Sequence, residues 1–350
     1  GTGGVTKVGA GYQIFNGAGT YTGGTAVNGG SLEIATNNHL GDPNGPLSFD
    51  GGTLVVVGTF TMLRATTMNA GGGTFNIAGI GNTLTHSGVS SGVGGMGKAG
   101  AGMLLLTASN IYSGPTSIDA GTLRLGGSER PADATDVSVD AGATFDLDSN
   151  NESIDSLSGD GNVDLGNAQL VVGLDNGSGT FGGVLSGTGD LLKEGTGSQT
   201  LTGANTYSGA TFVDRGELVL SGGGSINQAT LVTGFNIGSA GTTTVDGAST
   251  TWDLSGNLFV GFDGTGQMNI DNGATVTVDG DVDVGSMGVA GTLSLDGGTL
   301  DNSAGNGVTV STGTLQGDGT VIGNVFNQDT VAPGNSPGIL AIDGAYNQDV

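Results

Sequence analysis

Three aspartates in alternation, Asp279, Asp281 and Asp283, have the carboxylate spacing that opens a calcium-binding loop. Such a loop also needs glycine at its sixth position and a bidentate glutamate at its twelfth, where this chain has Val284 and Ala290. Read as a strand, the same run turns all three carboxylates to one solvent face and needs no metal. Acid–base and nucleophilic chemistry find little to work with. His39 and His86 are the only histidines, neither has a recognisable serine or carboxylate partner nearby in sequence, and no Gly-x-Ser-x-Gly segment occurs. Gly334-Asn335-Ser336-Pro337-Gly338 contains a serine, but proline and glycine bracket it as a turn. Gly97-Lys98 lacks both the spacing and the helix of a phosphate cradle. Carboxylate pairs for glycoside cleavage would have to come together from neighbouring turns of the chain. The aromatics that usually line such clefts are scarce, with one Trp, Trp252, and five Tyr. No catalytic residue, metal ligand or cofactor is expected, and the chain reads as a non-enzyme.

The elements that would hold any site must be built from an unusual composition. Of 350 residues 75 are Gly, about three times the ordinary share, which argues against a helical or α/β enzyme. Cysteine is absent, so disulfides and thiolate chemistry are excluded. The 32 acids against 7 bases give a net charge of −25, which repels nucleic acid and anionic lipid alike. The longest apolar run, Leu54 to Val57, is far too short to span a bilayer. No charged-then-apolar leader follows Gly1, so any signal peptide is expected to have been removed or to lie outside the chain. A surface with 27 Asp could gather divalent cations weakly, but most of these residues sit beside Gly, where the side chain caps a turn.

Internal repetition organises the chain. Segments beginning at Tyr21, Tyr112 and Tyr207 superpose without gaps. Gly23, Gly114 and Gly209 are followed in register by Thr25, Thr116 and Thr211, then by Val27, Ile118 and Val213. The match continues through Gly30, Gly121 and Gly216 to Leu32, Leu123 and Leu218. Fourteen residues before each Tyr stands a Lys, and Lys7, Lys98 and Lys193 are the only three in the chain. The large repeat is therefore 91 and then 95 residues. Within it, Gly-x-[Leu/Phe] recurs at Leu32, Leu54 and Phe75, giving a coil of about 22 residues. Asp246, Asp271 and Asp296 mark a longer coil of 25 residues in the C-terminal third.

Thr122-Leu123-Arg124-Leu125 and Thr275-Val276-Thr277-Val278 alternate with the period of strands that bury one face. Short strands punctuated by Gly, Asn-Gly and Asp-Gly, with no helical period between them, predict a single all-β parallel β-helix, or β-solenoid, without substantial helix. About fifteen coils would make a rod on the order of 70 Å long. Residues 1–220 are expected to hold the three strand repeats, and residues 221–350 to continue the solenoid with coils of 23–25 residues. One such coil cannot bury enough apolar surface to fold alone, so the ends of the array should be its weak points.

The most specific block runs from Gly187-Thr188-Gly189-Asp190-Leu191-Leu192-Lys193-Glu194-Gly195 through Ala204-Asn205-Thr206-Tyr207-Ser208-Gly209 to Gly216-Glu217-Leu218-Val219-Leu220. It resembles the autotransporter-associated β-strand repeat, found in passenger regions of type V secreted proteins and other large surface proteins of Gram-negative bacteria. The copy with Asn110-Ile111-Tyr112 is similar, whereas the first copy has Gly19 in place of the asparagine and is expected to turn differently there. Val331-Ala332-Pro333-Gly334-Asn335-Ser336-Pro337-Gly338-Ile339-Leu340 is similar to the segment such passengers carry before their folding-assisting region and membrane barrel. The resemblance implies a right-handed winding, export across the outer membrane, and display at or release from the cell surface, with the barrel outside this chain. The expected role is that of an adhesin or structural stalk whose partner is a host surface protein or glycan, or another copy joined through the solenoid ends. The alternatives are a self-assembling fibre or sheath subunit and a polysaccharide-acting enzyme on the same scaffold.

Overall fold

Leu32, Leu54 and Phe75, singled out by their spacing, lie on successive rungs of one parallel sheet, with Leu32 opposite Leu54 and Leu54 opposite Phe75. All three are fully buried. The 22-residue recurrence is therefore a stack of like side chains. Each buried aliphatic in such a column contributes roughly 1.5–3 kcal/mol, and none could be buried by its own rung alone. The computed structural model describes residues 1–128, 135–286, 288–334 and 338–349. The turn expected at Asn335-Ser336-Pro337 lies outside the described residues.

The chain forms two units, Gly1–Ala168 and Gln169–Val350. In the first, a wide face stacks eight parallel strands from Tyr12–Phe15 to Ser156–Gly159. A second face stacks Val5–Lys7, Thr25–Val27, Leu47–Phe49, Thr66–Met68, Ser90–Gly92 and Ile111–Tyr112. The third begins only at Phe60–Met62 and continues through Thr83–His86, Met103–Leu106 and Thr122–Leu125. In the second unit, the wide face again stacks eight parallel strands, from Gly179–Phe181 to Thr330–Pro333, flanked by ladders running from Leu170–Val172 and from Ala204–Asn205. Each unit is thus a three-faced β-solenoid of eight rungs among the described residues, against about fifteen coils expected in all. The helical content described is one short 3₁₀ turn, Asn37–Leu40.

Rung length follows the sequence spacing. Asp246 stands opposite Asp271, a step of 25, within strands Ala240–Asp246 and Thr265–Asp271. The first copy departs from the others as expected: residues 16–24 form no strand, and Gly19 N–H donates to Asn38 O at 2.9 Å. One sequence expectation needs refinement. Lys7 lies on the second face of its unit, but Lys98 lies on the wide face, opposite Phe75 and Ile118. Four turns separate Val5–Lys7 from Ser90–Gly92, and the next strand, Met96–Ala99, carries Lys98. The 91-residue period is therefore four turns plus one face. The repeat is a corner device that can be placed on more than one face of the solenoid.

Candidate functional sites

The chain's lysines sit where aliphatic residues would be expected. Lys98 is fully buried and Lys193 almost so, in columns otherwise filled by residues such as Ile118 and Val213. Each side chain bends to the corner, where its ammonium meets carbonyls of its own turn and of the next rung. Lys98 Nζ donates to Ala99 O at 3.0 Å, Gly100 O at 2.8 Å and Ala120 O at 2.8 Å. Lys7 makes the same three bonds, to Val8 O, Gly9 O and Gly29 O, at 3.0, 2.8 and 2.9 Å. Lys193 bonds Glu194 O, Gly195 O and Arg215 O. All three lysines cap turn carbonyls. Burial draws Lys98 down to about 8, with Asp119 pulling the other way, so it remains an ammonium at neutral pH.

The backbone that frames this ammonium requires glycine. Gly121 has φ +66, and a Cβ there would stand 2.4 Å from the carbonyl oxygens of Gly100 and Gly102. Gly30 and Gly216 repeat both features in their own copies.

A second buried bond recurs four residues apart. Tyr112 OH meets Thr116 Oγ1 at 2.6 Å, Tyr207 OH meets Thr211 Oγ1 at 2.6 Å, and Tyr21 OH meets Thr25 Oγ1 at 2.8 Å. Burial pushes the phenols of Tyr112 and Tyr207 above their ordinary value. Each Tyr therefore anchors the first residue of a strand on the adjoining face, instead of opening a strand itself. Two residues before Tyr112 and Tyr207, an asparagine reaches back one rung: Asn110 Oδ1 accepts Ser90 N–H at 2.8 Å, and Asn205 Oδ1 accepts Leu185 N–H at 3.0 Å.

His86 and Ser90 were not recognised as partners, yet Nε2 lies 3.0 Å from Oγ. Both are fully buried and span a corner at the same four-residue spacing as the Tyr–Thr pairs. His86 also packs on Phe75, with ring centroids 5.4 Å apart, and burial lowers it to about 4. Its Nδ1 has no hydrogen-bond partner, so no carboxylate orients the ring and nothing opens it to a substrate. The pair is another corner anchor. His39 accepts Ala35 N–H through Nδ1 at 3.4 Å. Arg64 was likewise not anticipated. It is buried and donates to Asn37 Oδ1, Gly45 O and Gly41 O at 2.7, 2.8 and 3.0 Å, tying down the excursion around Asn37–Leu40.

Asp279 and Asp281 are exposed and Asp283 is half-buried, alternating with buried Val282 and Val284. Asp283 is raised by burial and then by the charge of Asp281. Among the described residues no group of three His, Cys, Asp or Glu is placed to hold a metal ion. Other aspartates cap turns across rungs: Asp50 Oδ1 accepts Gly71 N–H at 2.8 Å, and Asp190 Oδ1 accepts Ala210 N–H at 2.7 Å. An open groove of ≈590 Å³ lined by Ser294, Asp296, Gln316, Asp318, Ala332 and Pro333 lies on the wide face of the second unit.

The corner residues coincide with a known pattern. The passenger-associated-transport-repeat matches residues 5–34, 97–125 and 191–220, each of which spans one Lys corner and one Tyr–Thr pair. The chain is also similar to an adhesin autotransporter, BmaC, of Brucella suis biovar 1 (strain 1330), with 41% identity over 195 residues. That alignment covers 53% of this chain and 6% of the relative. No solved structure matches the chain. Each Lys corner of the chain thus lies within a match to the passenger-associated-transport-repeat.

Proposed function

We propose that the chain is a non-catalytic, surface-displayed adhesive passenger. The observation that carries this reading is the 41% identity to the Brucella adhesin. The chain spans 6% of that relative's length, so a membrane barrel, and a host protein or glycan as partner, belong to the proposal. Winding of the solenoid is proposed to be right-handed, with the three repeats in residues 1–220 and the longer coils in residues 221–350. The chemistry of the corners supports a scaffold over an enzyme. The groups drawn furthest from their ordinary titration, His86, Lys98, Tyr112 and Tyr207, are all sealed inside structural bonds, where none can reach a substrate. The absence of cysteine suits passage through a narrow pore as an unfolded thread, with rung-by-rung stacking at the exit. The test is to display the chain on a non-adherent bacterium through a heterologous barrel and count attachment to cultured host cells. Attachment well above a display control carrying an unrelated solenoid is expected. Attachment equal to that control would overturn the adhesive role.

A further inference from the structure

Asparagine is followed by glycine at six places, Asn16, Asn28, Asn44, Asn176, Asn272 and Asn306. Such a pair can lose its amide, because the glycine nitrogen has no side chain to shield it and can reach the asparagine Cγ. The fold withholds that chemistry from four of them. Gly45 N–H donates to Asp42 O at 2.8 Å, Gly273 N–H to Gly297 O at 3.2 Å and Gly307 N–H to Asn302 Oδ1 at 2.7 Å, so each of these nucleophiles is occupied. Side-chain amides are held as well: Asn272 Nδ2 by Asp246 Oδ1 at 2.6 Å, Asn306 Nδ2 by Asp281 Oδ1 at 2.7 Å, and Asn176 Oδ1 by Thr196 N–H at 2.9 Å. Asn28 is different. It is exposed, and among the described residues neither its amide nor Gly29 N–H takes part in a hydrogen bond. Its backbone is nonetheless fixed, with Asn28 N–H donating to Lys7 O at 2.8 Å and Gly29 O accepting from Lys7 Nζ at 2.9 Å.

We propose that Asn28 is a site of spontaneous deamidation, at which the first repeat acquires the carboxylate that the other two copies carry in their sequence. Asp119 and Asp214 occupy the equivalent position, with the same backbone bond to Lys98 O and Lys193 O. Those copies follow the acid with Ala120 and Arg215, so only the first sets a glycine behind this residue. In the step, Gly29 N loses its proton and attacks Asn28 Cγ, closing a cyclic imide, while the Cγ–Nδ2 bond breaks and Nδ2 leaves as ammonia with that proton. Water then opens the ring. Opening at Cγ gives aspartate on the original backbone, and opening at the main-chain carbonyl gives isoaspartate. The net change is water taken up and ammonia released, with no oxidant or reductant. Lys7 assists through its charge. Its ammonium, on the carbonyl of the same glycine, favours the anionic nitrogen and then the new carboxylate, as Asp119 and Lys98 favour each other's charge.

The proposal does not depend on the adhesive reading, and its test follows the whole purified chain in solution. The chain is incubated at neutral pH and physiological temperature, and each asparagine is read by peptide mass spectrometry from fragment ions. Asn28 should deamidate about tenfold faster than Asn44, Asn272 and Asn306, and unfolding the chain in denaturant should bring the four rates together. Gly29→Ala should slow conversion at Asn28 about tenfold. This variant should fold, because a Cβ there meets nothing nearer than 3.5 Å and Ala120 stands at the same place in the second copy. The reverse change, Asp119→Asn/Ala120→Gly, should create a second fast site at the Lys98 corner. Conversion of Asn28 in the folded chain as slow as that of Asn272, or no slowing in Gly29→Ala, would overturn the proposal. So would a folded Asp119→Asn/Ala120→Gly chain whose new pair stays intact, because the Lys98 corner has the same bonds as the Lys7 corner.

Discussion

Two regions of the chain solve one problem in different ways. Parallel rungs must not slip, because a shift of one residue would turn every inward side chain outward. In the repeat copies many strands are short: Thr116–Ile118 and Thr211–Val213 have three residues, Ile111–Tyr112 and Ala204–Asn205 only two. Their register is fixed by buried polar bonds that reach from rung to rung, Lys98 to Ala120 O and Asn110 to Ser90 N. Between Ala240 and Asp271 neither the lysine nor the Tyr–Thr pair occurs, and the wide-face strands are seven residues long. There the ladder itself fixes register, and the core columns are filled by residues such as Val245, Met268 and Ile270. Buried polar bonds that reach from rung to rung act where pairing is short, while on the long strands the ladder carries most of the register beside a buried pair, Thr233–Thr243, 2.7 Å apart.

The largest expected effect breaks the first device. Lys98→Met keeps the aliphatic stem but leaves the carbonyls of Ala99, Gly100 and Ala120 without their shared donor. The cost should be about 3 kcal/mol, given 1–3 kcal/mol for each buried group left unsatisfied and some relief from no longer burying a charge. It should appear as a lower denaturant midpoint and as faster hydrogen exchange at residues 96–125. By contrast, Thr244→Val on a long rung should change stability by no more than about 0.5 kcal/mol. Equal effects would show that the corner lysine contributes nothing particular to register.

Acid should separate the regions next. His86 titrates at about 4 when folded and near 6.5 when unfolded, so between those values the unfolded chain binds the extra proton. Stability is full above pH 6.5 and falls as pH drops towards 4, by on the order of 3 kcal/mol in all. His86→Phe should remove that slope. No histidine lies beyond Arg215, so rungs from Ala240 onward should not share it in residue-resolved exchange. A slope that persists in His86→Phe would assign it elsewhere.

Much of this was legible in sequence because the corner device is local. Lys-x-Gly followed by Gly twenty-one residues later encodes the ammonium cage, and Tyr-x-x-x-Thr encodes the hydroxyl bond, so the repeats revealed themselves as strings. What stayed hidden depends on how many residues each turn consumes. The step from Leu32 to Leu54 is 22 residues and from Leu54 to Phe75 it is 21. These small differences move Lys98 to a different face from Lys7, a shift no single string displays. Arg64 was invisible for a related reason: its acceptors lie 19 to 27 residues back, in an excursion with no second copy. The His86–Ser90 bond has the spacing of the Tyr–Thr pairs and could have been found by generalising that pattern to any ring with a polar tip.

A smaller effect sharpens the corner reading. Tyr112→Phe retains the ring but deprives Thr116 Oγ1 of its buried partner, and should cost about 1 kcal/mol. Tyr207→Phe should cost the same in the third copy, because Thr211 is held in the same way. Thr211 also reaches Gln228 Oε1 at 2.7 Å, so a milder loss there than at Tyr112 would show that a second acceptor compensates.

The smallest effect runs the other way and belongs to the long rungs. Asp271 is raised above its ordinary 3.8 by burial, then by Asp296 and Asp246. Because the folded state binds this proton more readily than the unfolded one, its contribution to stability falls as pH rises through the folded value, and the deficit is complete at neutral pH. Asp271→Asn should therefore stabilise the chain at pH 7 by a few tenths of a kcal/mol, a figure kept small by partial exposure. The gain should vanish below about pH 3.8, where the carboxylate is neutral in both states, and should shrink in high salt. Denaturant midpoints at two pH values and two ionic strengths read all three arms. A loss of stability at both pH values would mean that this column is held by bonds its carboxylates make, and that register on the long rungs also depends on polar groups. A gain confined to neutral pH would leave the column as a charge the scaffold tolerates without needing it, because the long ladders hold register without its help.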